Sequence, residues 1–381
     1  MLAWLLGEAR RLPDANALLT GLCGRLLASG VPLAWASFNM QLLHPHLFGV
    51  GIYWRRGAAA VQVFGAARGI ERTATFLNSP MGALYEGAGG VRQRLDLPGT
   101  TLPFPLLHNL RAEGLTDYVA LPLIFSDGKV HGTSWASDRP GGFATGDLAL
   151  IESILPAVSL LLEIHVNRRL AITLLDTYVG HSAGGQILEG QITRGSGETV
   201  LAAIWYCDLR GFTELSERTE RDVLIALLNA YFDCMAAPVA RHGGEILKFI
   251  GDAMLAIFPM DADEACARAL EAAIEARGAM AELNQRRRER GHAALGFGLA
   301  LHVGEVMYGN IGASDRLDFT VVGPAVNLAT RIERLCRTLG RDILMSKTFS
   351  GMCGSTLPSL GAHRVAGVAY PVEVFTLPEA A

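Results

Sequence analysis

The chain has 381 residues, 50% of them hydrophobic and only 18% charged, which excludes a disordered tail and leaves room for two or three separately packed domains. Its formal net charge is −4 and its isoelectric point is near 6.2, so it offers no electrostatic footprint for nucleic acid. The six cysteines (Cys23, Cys207, Cys234, Cys266, Cys336 and Cys353) contain no C-x-x-C pair and follow no secretory signal, a usage that predicts a reducing, cytoplasmic setting.

A mean hydropathy of +0.28 raises the question of a membrane. The most apolar long stretch, Leu148–Val166, is interrupted by Glu152, Pro156 and Glu163, and charges near the middle of a span are costly. Met1–Leu6 is too short for a signal and lacks a basic start. A soluble protein with no membrane span is expected.

In chain order, residues 12–30 carry a helical stripe of Leu18, Leu19, Leu22, Leu26 and Leu27. Strand-like segments follow at 33–38, 47–54 and 60–64, and the Gly- and Pro-rich stretch 75–117 resists assignment. Tyr118–Phe125 and Val130–Ala136 read as strands joined by the turn Ser126-Asp127-Gly128-Lys129. The loop Asp138-Arg139-Pro140-Gly141-Gly142-Phe143 then leads into a long helix beginning near Thr145. The hairpin, the R-P-G-G-F loop and the closing helix resemble a GAF-type small-molecule sensor. The resemblance implies an α/β regulatory domain over residues 1–165 that takes a small-molecule effector, which no residue identifies. His44 and His46 have the chemistry of metal or haem ligands, but histidines in surface loops are far commoner than ligands.

Along the closing helix, Leu148, Ile151, Leu155, Val158 and Leu162 alternate spacings of three and four, the pattern of a two-helix seam; packing on its own domain is the alternative. Pro156 predicts a kink or break there. Residues 166–198 are expected to be a helical linker, with the Gly/Ser-containing stretch Gly180–Glu198 at its end, able to pass a twist between domains.

From Val200 the pattern becomes regular. An apolar strand ends in Tyr206-Cys207-Asp208-Leu209-Arg210-Gly211-Phe212-Thr213; a helix spans about 221–241; Glu245–Ile250 and Ala253–Phe258 are strands joined at Gly251-Asp252. A second helix is expected from Asp263 to Arg288, then strands at 295–303 and 319–322, a helix opened by Gly323-Pro324, and a final strand pair around 363–377. Strand, helix, hairpin, helix, strand is the βαββαβ order of a ferredoxin-like core, so the expected fold class is α+β, with this domain over residues 199–381.

Asp208 at a strand tip supplies hard oxygen ligands suited to Mg²⁺, and the backbone N–H groups of Gly211, Phe212 and Thr213 open a helix start that suits a phosphate. Asp252 lies in the turn of the neighbouring hairpin, so the topology brings both carboxylates to one edge, as a two-metal displacement requires.

Three motifs, Asp208–Thr213, Leu247-Lys248-Phe249-Ile250-Gly251-Asp252, and Thr320-Val321-Val322-Gly323-Pro324-Ala325-Val326-Asn327-Leu328-Ala329-Thr330-Arg331, resemble in kind and order the catalytic domain of class III nucleotide cyclases, specifically adenylate cyclases. The resemblance implies conversion of ATP to 3′,5′-cyclic AMP and pyrophosphate. Asp208, Asp252 and the Leu209 carbonyl would hold two Mg²⁺ per site, with Mn²⁺ as a substitute. Lys248 would donate to adenine N1, and Thr320 would contact the N6 amino group. Guanine carries N1–H where adenine has a bare N1, so lysine there selects against it. Asn327 would position the ribose, and Arg331, four residues on, would stabilise the transferring phosphoryl group. Family sites form between two copies, which implies a homodimer. One position departs from the pattern: Ala366 stands where a triphosphate-binding lysine is usual, with Arg364 and Arg316 as nearby substitutes. A guanylate or relaxed-specificity cyclase, and a catalytically weak ligand-binding signalling protein, are the alternatives.

Overall fold

Two sheets organise the chain, one in each of two units, Met1–Leu174 and Leu175–Ala381; the computed structural model describes residues 1–260 and 264–378. The first unit opens with α1 (Leu2–Leu6) and α2 (Ala15–Ala28), the latter capped by the Asp14 carboxylate accepting from the Ala17 N–H at 2.8 Å. Strands β1 (Trp35–Gln41), β2 (Leu47–Arg55) and β3 (Gln62–Ala67) follow. The stretch that resisted assignment folds into three short helices, α3 (Ala74–Leu77), α4 (Pro80–Tyr85) and α5 (Pro105–Ala112), around β4 (Val91–Arg94). Thr73 and Ser79 cap α3 and α4, and prolines stand in the first turns of α4 and α5 where a missing N–H is harmless. These helices are too short for a period to show in the sequence. β5 (Asp117–Ile124) and β6 (Val130–Ser137) complete an antiparallel sheet of order β3-β2-β1-β6-β5-β4, and α6 (Thr145–Tyr178) follows, its residues as far as Leu174 belonging to this unit.

One face of this sheet is covered by α2 and α6. The helical leucines at 18, 19, 22 and 26 meet Phe38 and Trp135 from the sheet and Ile151, Val158 and Leu162 from α6. The seam read along α6 is therefore consumed by the unit's own core, with Leu148 and Leu155 packed at its margin. The helix also runs through Pro156 without a break. That residue is exposed, so the carbonyl it leaves unpaired one turn earlier can be solvated.

The R-P-G-G-F loop has a structural explanation. Asp117, fully buried at the start of β5, accepts from Arg92 Nη2 at 2.8 Å and from the Phe143 N–H at 3.0 Å. Gly142 has φ +69, and a side chain there would collide with the Asp117 carboxylate. Asp117→Ala should destabilise this unit by about 3 kcal/mol, since it strips a buried anion from a guanidinium and a buried N–H. Urea unfolding followed by tryptophan fluorescence checks this, and a loss below roughly 1 kcal/mol would refute it.

In the second unit α7 (His181–Leu188) occupies the first part of the Gly/Ser-containing stretch Gly180–Glu198. Ala183 is buried against Ile204, Leu247 and Tyr308, so tertiary packing holds a helix that local propensity does not advertise. The central strand β7 (Gly197–Leu209) is followed by α8 (Phe212–Arg218) and α9 (Arg221–Arg241). Then come β8 (Glu245–Ile250), β9 (Ala253–Pro259), α10 (Ala265–Glu289) and the 16-residue β10 (Phe297–Gly312). The start expected for α10 at Asp263 lies outside the described residues. β11 (Leu317–Val322), α11 (Pro324–Leu339), β12 (Ile343–Ser346), α12 (Lys347–Met352), β13 (Ser359–His363) and β14 (Val372–Thr376) finish the unit.

The sheet order β13-β14-β12-β10-β7-β9-β8, with β11 hairpinned onto β10, contains the fourth-first-third-second strand order of a ferredoxin-like core. The expected α+β class is thus observed. β10 exceeds its expected length because β7 pairs with it as far as Gly309 and β11 pairs with Met307–Gly312 on its other edge. α9 and α10 cover one face, burying Tyr231, Met235, Val239, Ala269, Ala273 and Met280 against β7 and β9. By length and composition α6 and α9 are apolar enough to cross a membrane; each buries one face within its own unit.

Candidate active site

The motif that ends β7 is shaped by its neighbours. Asp208 stands opposite Gly298 on β10, and a Cβ at position 298 would run into Glu333 Oε1. Glycine there lets a third carboxylate come up behind Asp208. Asp252 follows Gly251, whose φ of +64 makes the tight turn from β8 to β9. Because β9 pairs directly with β7, this turn lies beside the end of β7 and brings the Asp252 carboxylate up to that of Asp208.

Desolvation, then the hydrogen bond and charge of Asp252, then the charge of Glu333, push the Asp208 carboxyl up to about 7. A divalent cation beside the pair would offset that repulsion. One oxygen of the pair, Asp208 Oδ1, is buried with no hydrogen-bond partner, which is where a divalent ion would satisfy it. Among the described residues no cluster of three or more His, Cys, Asp or Glu side chains has metal-binding geometry, so two carboxylates and main-chain oxygen are the donors on offer. Leu209, whose carbonyl was expected to join them, ends β7 with its side chain buried at the core margin.

Gly211 takes φ +70 and starts α8 with no side-chain cap, leaving the first-turn N–H groups around Phe212 and Thr213 without a side-chain acceptor. Phe212 packs its ring on the core and Thr213 accepts from Ser216 through its carbonyl. Arg210, from the same motif, reaches the Arg341 carbonyl and lies 3.4 Å from Asp342. Glu333 is buried, which raises its pKa, and Arg210 is the first of the cations opposing that rise.

Lys248 on β8 pairs with Asp318 on β11. Asp318 and Thr320 are two residues apart on one strand and so share a face. The structure therefore brings Lys248, Asp318 and the Thr320 face into one cluster. Asn327 is exposed in the first turn of α11, and Arg331 one turn on donates to the Gly367 carbonyl at 2.9 Å. Glu333 is two positions past Arg331, hence about 200° around the helix. It is Glu333, not Arg331, that sits by the aspartate pair of the same chain. Among the described residues no ion pair or hydrogen bond joins Lys248, Thr320, Asn327 or Arg331 to Asp208 or Asp252.

Asp318 and Glu333 did not stand out in the sequence. Asp318 had a signal, its i, i+2 spacing to Thr320, but its partner is 70 residues away. Glu333 had none, because its role depends on a glycine on another strand.

Residues 197–356 match the model of the adenylate and guanylate cyclase catalytic domain. The chain is 37% identical over 158 residues to an adenylate cyclase of Anabaena cylindrica, covering 40% of this chain and 31% of that protein. It is 29% identical over 178 residues to adenylate cyclase 1 of Rhizobium meliloti, covering 45% and 26%. The chain thus spans under a third of the length of either relative. The solved structure of a bacterial light-regulated adenylyl cyclase superposes with a TM-score of 0.51 at 22% identity, over 68% of this chain and 84% of that one, a likeness of fold.

Proposed function

Residues 197–356 belong to the adenylate and guanylate cyclase catalytic-domain family, and from that premise we infer that the protein is a homodimeric adenylate cyclase, forming 3′,5′-cyclic AMP and pyrophosphate from ATP. The observation that carries the reading is the Asp208–Asp252 pair, brought together at the end of the central strand with one buried oxygen, Asp208 Oδ1, unsatisfied. Mg²⁺ or Mn²⁺ held there, with the Leu209 carbonyl, would lower the pKa of the ribose 3′-hydroxyl and neutralise the triphosphate. The N–H groups of Gly211, Phe212 and Thr213 face phosphate oxygens. Lys248 donates to adenine N1 and Thr320 meets the N6 amino group. Asn327 orients the ribose for in-line attack of its 3′-oxygen on the α-phosphorus, and Arg331 stabilises the charge that develops there, worth on the order of 10²–10³ in rate.

Residues 1–165 act as the GAF-like regulatory domain and residues 166–198 as the connector. The six cysteines are all free thiols and both long apolar helices are used in packing, which supports a cytoplasmic protein without a membrane span. A catalytically weak protein is the second reading, favoured by the tie of Arg331 to the loop that carries Ala366.

The deciding experiment is ATP and GTP turnover with Mg²⁺ or Mn²⁺ at several protein concentrations. Cyclic AMP formation with specific activity that rises with concentration is expected; turnover of GTP equal to that of ATP would overturn the assignment of the base. Asp318 supplies a finer test. Its carboxylate fixes the Lys248 ammonium on one side and leaves its remaining N–H bonds for the base. Asp318→Ala should raise KM for ATP about tenfold and narrow the ATP-over-GTP preference, because the freed ammonium no longer holds one direction. An unchanged ATP/GTP ratio would count against the clamp.

A further inference from the structure

A groove of about 600 Å³ opens in the N-terminal unit between the first turn of α2, the β1–β2 end of the sheet and the later turns of α6. Its volume lies within the roughly 300–1,000 Å³ of small-molecule sites. The floor is apolar, built by Met40 from β1 and Leu47, Val50 and Ile52 from β2, with Val166 and Leu170 from α6. Such a floor offers an occupant dispersion contacts and exclusion from water, so orientation must come from the mouth.

The polar groups at the mouth are mostly donors. Arg168 and Arg169 both line it, are exposed, and form no ion pair among the described residues. His44 lines it too, and its Nδ1 accepts from the His46 and Leu47 N–H groups, each at 3.1 Å. That bonding places the ring proton on Nε2 and makes the other edge of the imidazole a donor. Asp14 is the sole carboxylate among the lining residues, and it is committed to capping α2. His165, Asn16 and Thr173 complete the polar lining; burial holds the His165 pKa below the usual imidazole range, and the other two are neutral.

We propose that this groove binds a single-chain amphiphile with a carboxylate head, its acyl chain on the Met40–Ile52 floor and its head accepting hydrogen bonds from Arg168, Arg169 and His44. The charge complementarity is specific. Two unpaired guanidinia at the end of an apolar trough suit a carboxylate, whereas a neutral or cationic head would leave them unanswered. Because floor and mouth come from different elements, an occupant fastens the later turns of α6 to the sheet. The proposal stands apart from the catalytic reading and does not need it.

Calorimetric titration of the full chain with dodecanoate, below its micelle-forming concentration, should show saturable binding at a single site per chain. Dodecanol should bind at least about tenfold more weakly. Arg168→Gln combined with Arg169→Gln should weaken dodecanoate by about tenfold and leave dodecanol unchanged; both positions are exposed, so folding is not at stake. Val50→Trp, which fills the floor, should abolish binding of both. Equal affinity for acid and alcohol, full dodecanoate binding in the double arginine variant, or no saturable binding would each overturn the proposal. So would a dimer that Val50→Trp dissociates in a protein that takes up no dodecanoate, because the groove would then be covered by a second copy.

Discussion

Asp208→Asn is expected to lower cyclic AMP formation by at least about a thousandfold, or about 4 kcal/mol of transition-state stabilisation, while the protein stays folded. Asparagine keeps the size and one carbonyl oxygen of the side chain, so the strand end and its pairing with β10 are preserved. What goes is the anion beside Asp252 and Glu333, the group whose buried oxygen lacks a partner within the protein. Removing one of three clustered carboxylates relieves repulsion, so the metal-free variant should melt at the same temperature as the parent or above it. The parent should gain stability on adding millimolar Mn²⁺, as a ligand that binds only the folded state must confer, and the variant should lose most of that gain. A variant that melts lower and responds to Mn²⁺ like the parent would assign Asp208 a structural role and sink the metal site.

Heterodimers should recover what two inactive homodimers lack. With Asp208→Asn on one copy and Arg331→Ala on the other, a site shared between copies places both lesions together in one of the two sites and leaves the second intact. Co-expression with two affinity tags and purification of the mixed dimer should therefore yield about half the parent activity, from two proteins that separately show almost none. If every site were built within one chain, each would carry a lesion and the mixed dimer would stay inactive. The placement of side chains on α11 motivates the first outcome. Glu333 turns toward the aspartate pair of its own chain and Arg331 turns toward the Gly367 carbonyl, with no hydrogen bond or ion pair to Asp208 or Asp252 among the described residues. Arg331→Ala should also loosen the loop that holds Gly367, so that protein's melting temperature belongs beside its activity.

Much of the candidate site was legible because it is written locally. Asp208 is fixed by an apolar strand that stops at a glycine turn, Asp252 by a Gly-Asp turn between two short strands, and Asn327 and Arg331 by a four-residue spacing after proline. Such signals need only the chain within a few residues. The clamp on Lys248 required β8 and β11 to meet across a sheet. Glu333 could approach only because position 298, on a strand some thirty residues earlier, has no side chain. The apolar period along α6 was equally plain, yet its partner was not. The same i, i+3, i+4 stripe suits a second helix or the helix's own sheet, and the sheet took it.

By itself the sequence determined the α+β class of the C-terminal unit and the order of its elements, and it singled out the candidate site residues, since periodicity, turn residues and motif spacing act over one or two turns of chain. Only the tertiary structure decided which carboxylates crowd Asp208, which cation is held by Asp318, which face of α11 looks at the aspartate pair, and that α7 forms at all. Those outcomes rest on burial and on charges brought together from distant parts of the chain, and a buried oxygen without a partner, such as Asp208 Oδ1, exists only once the strands around it have closed.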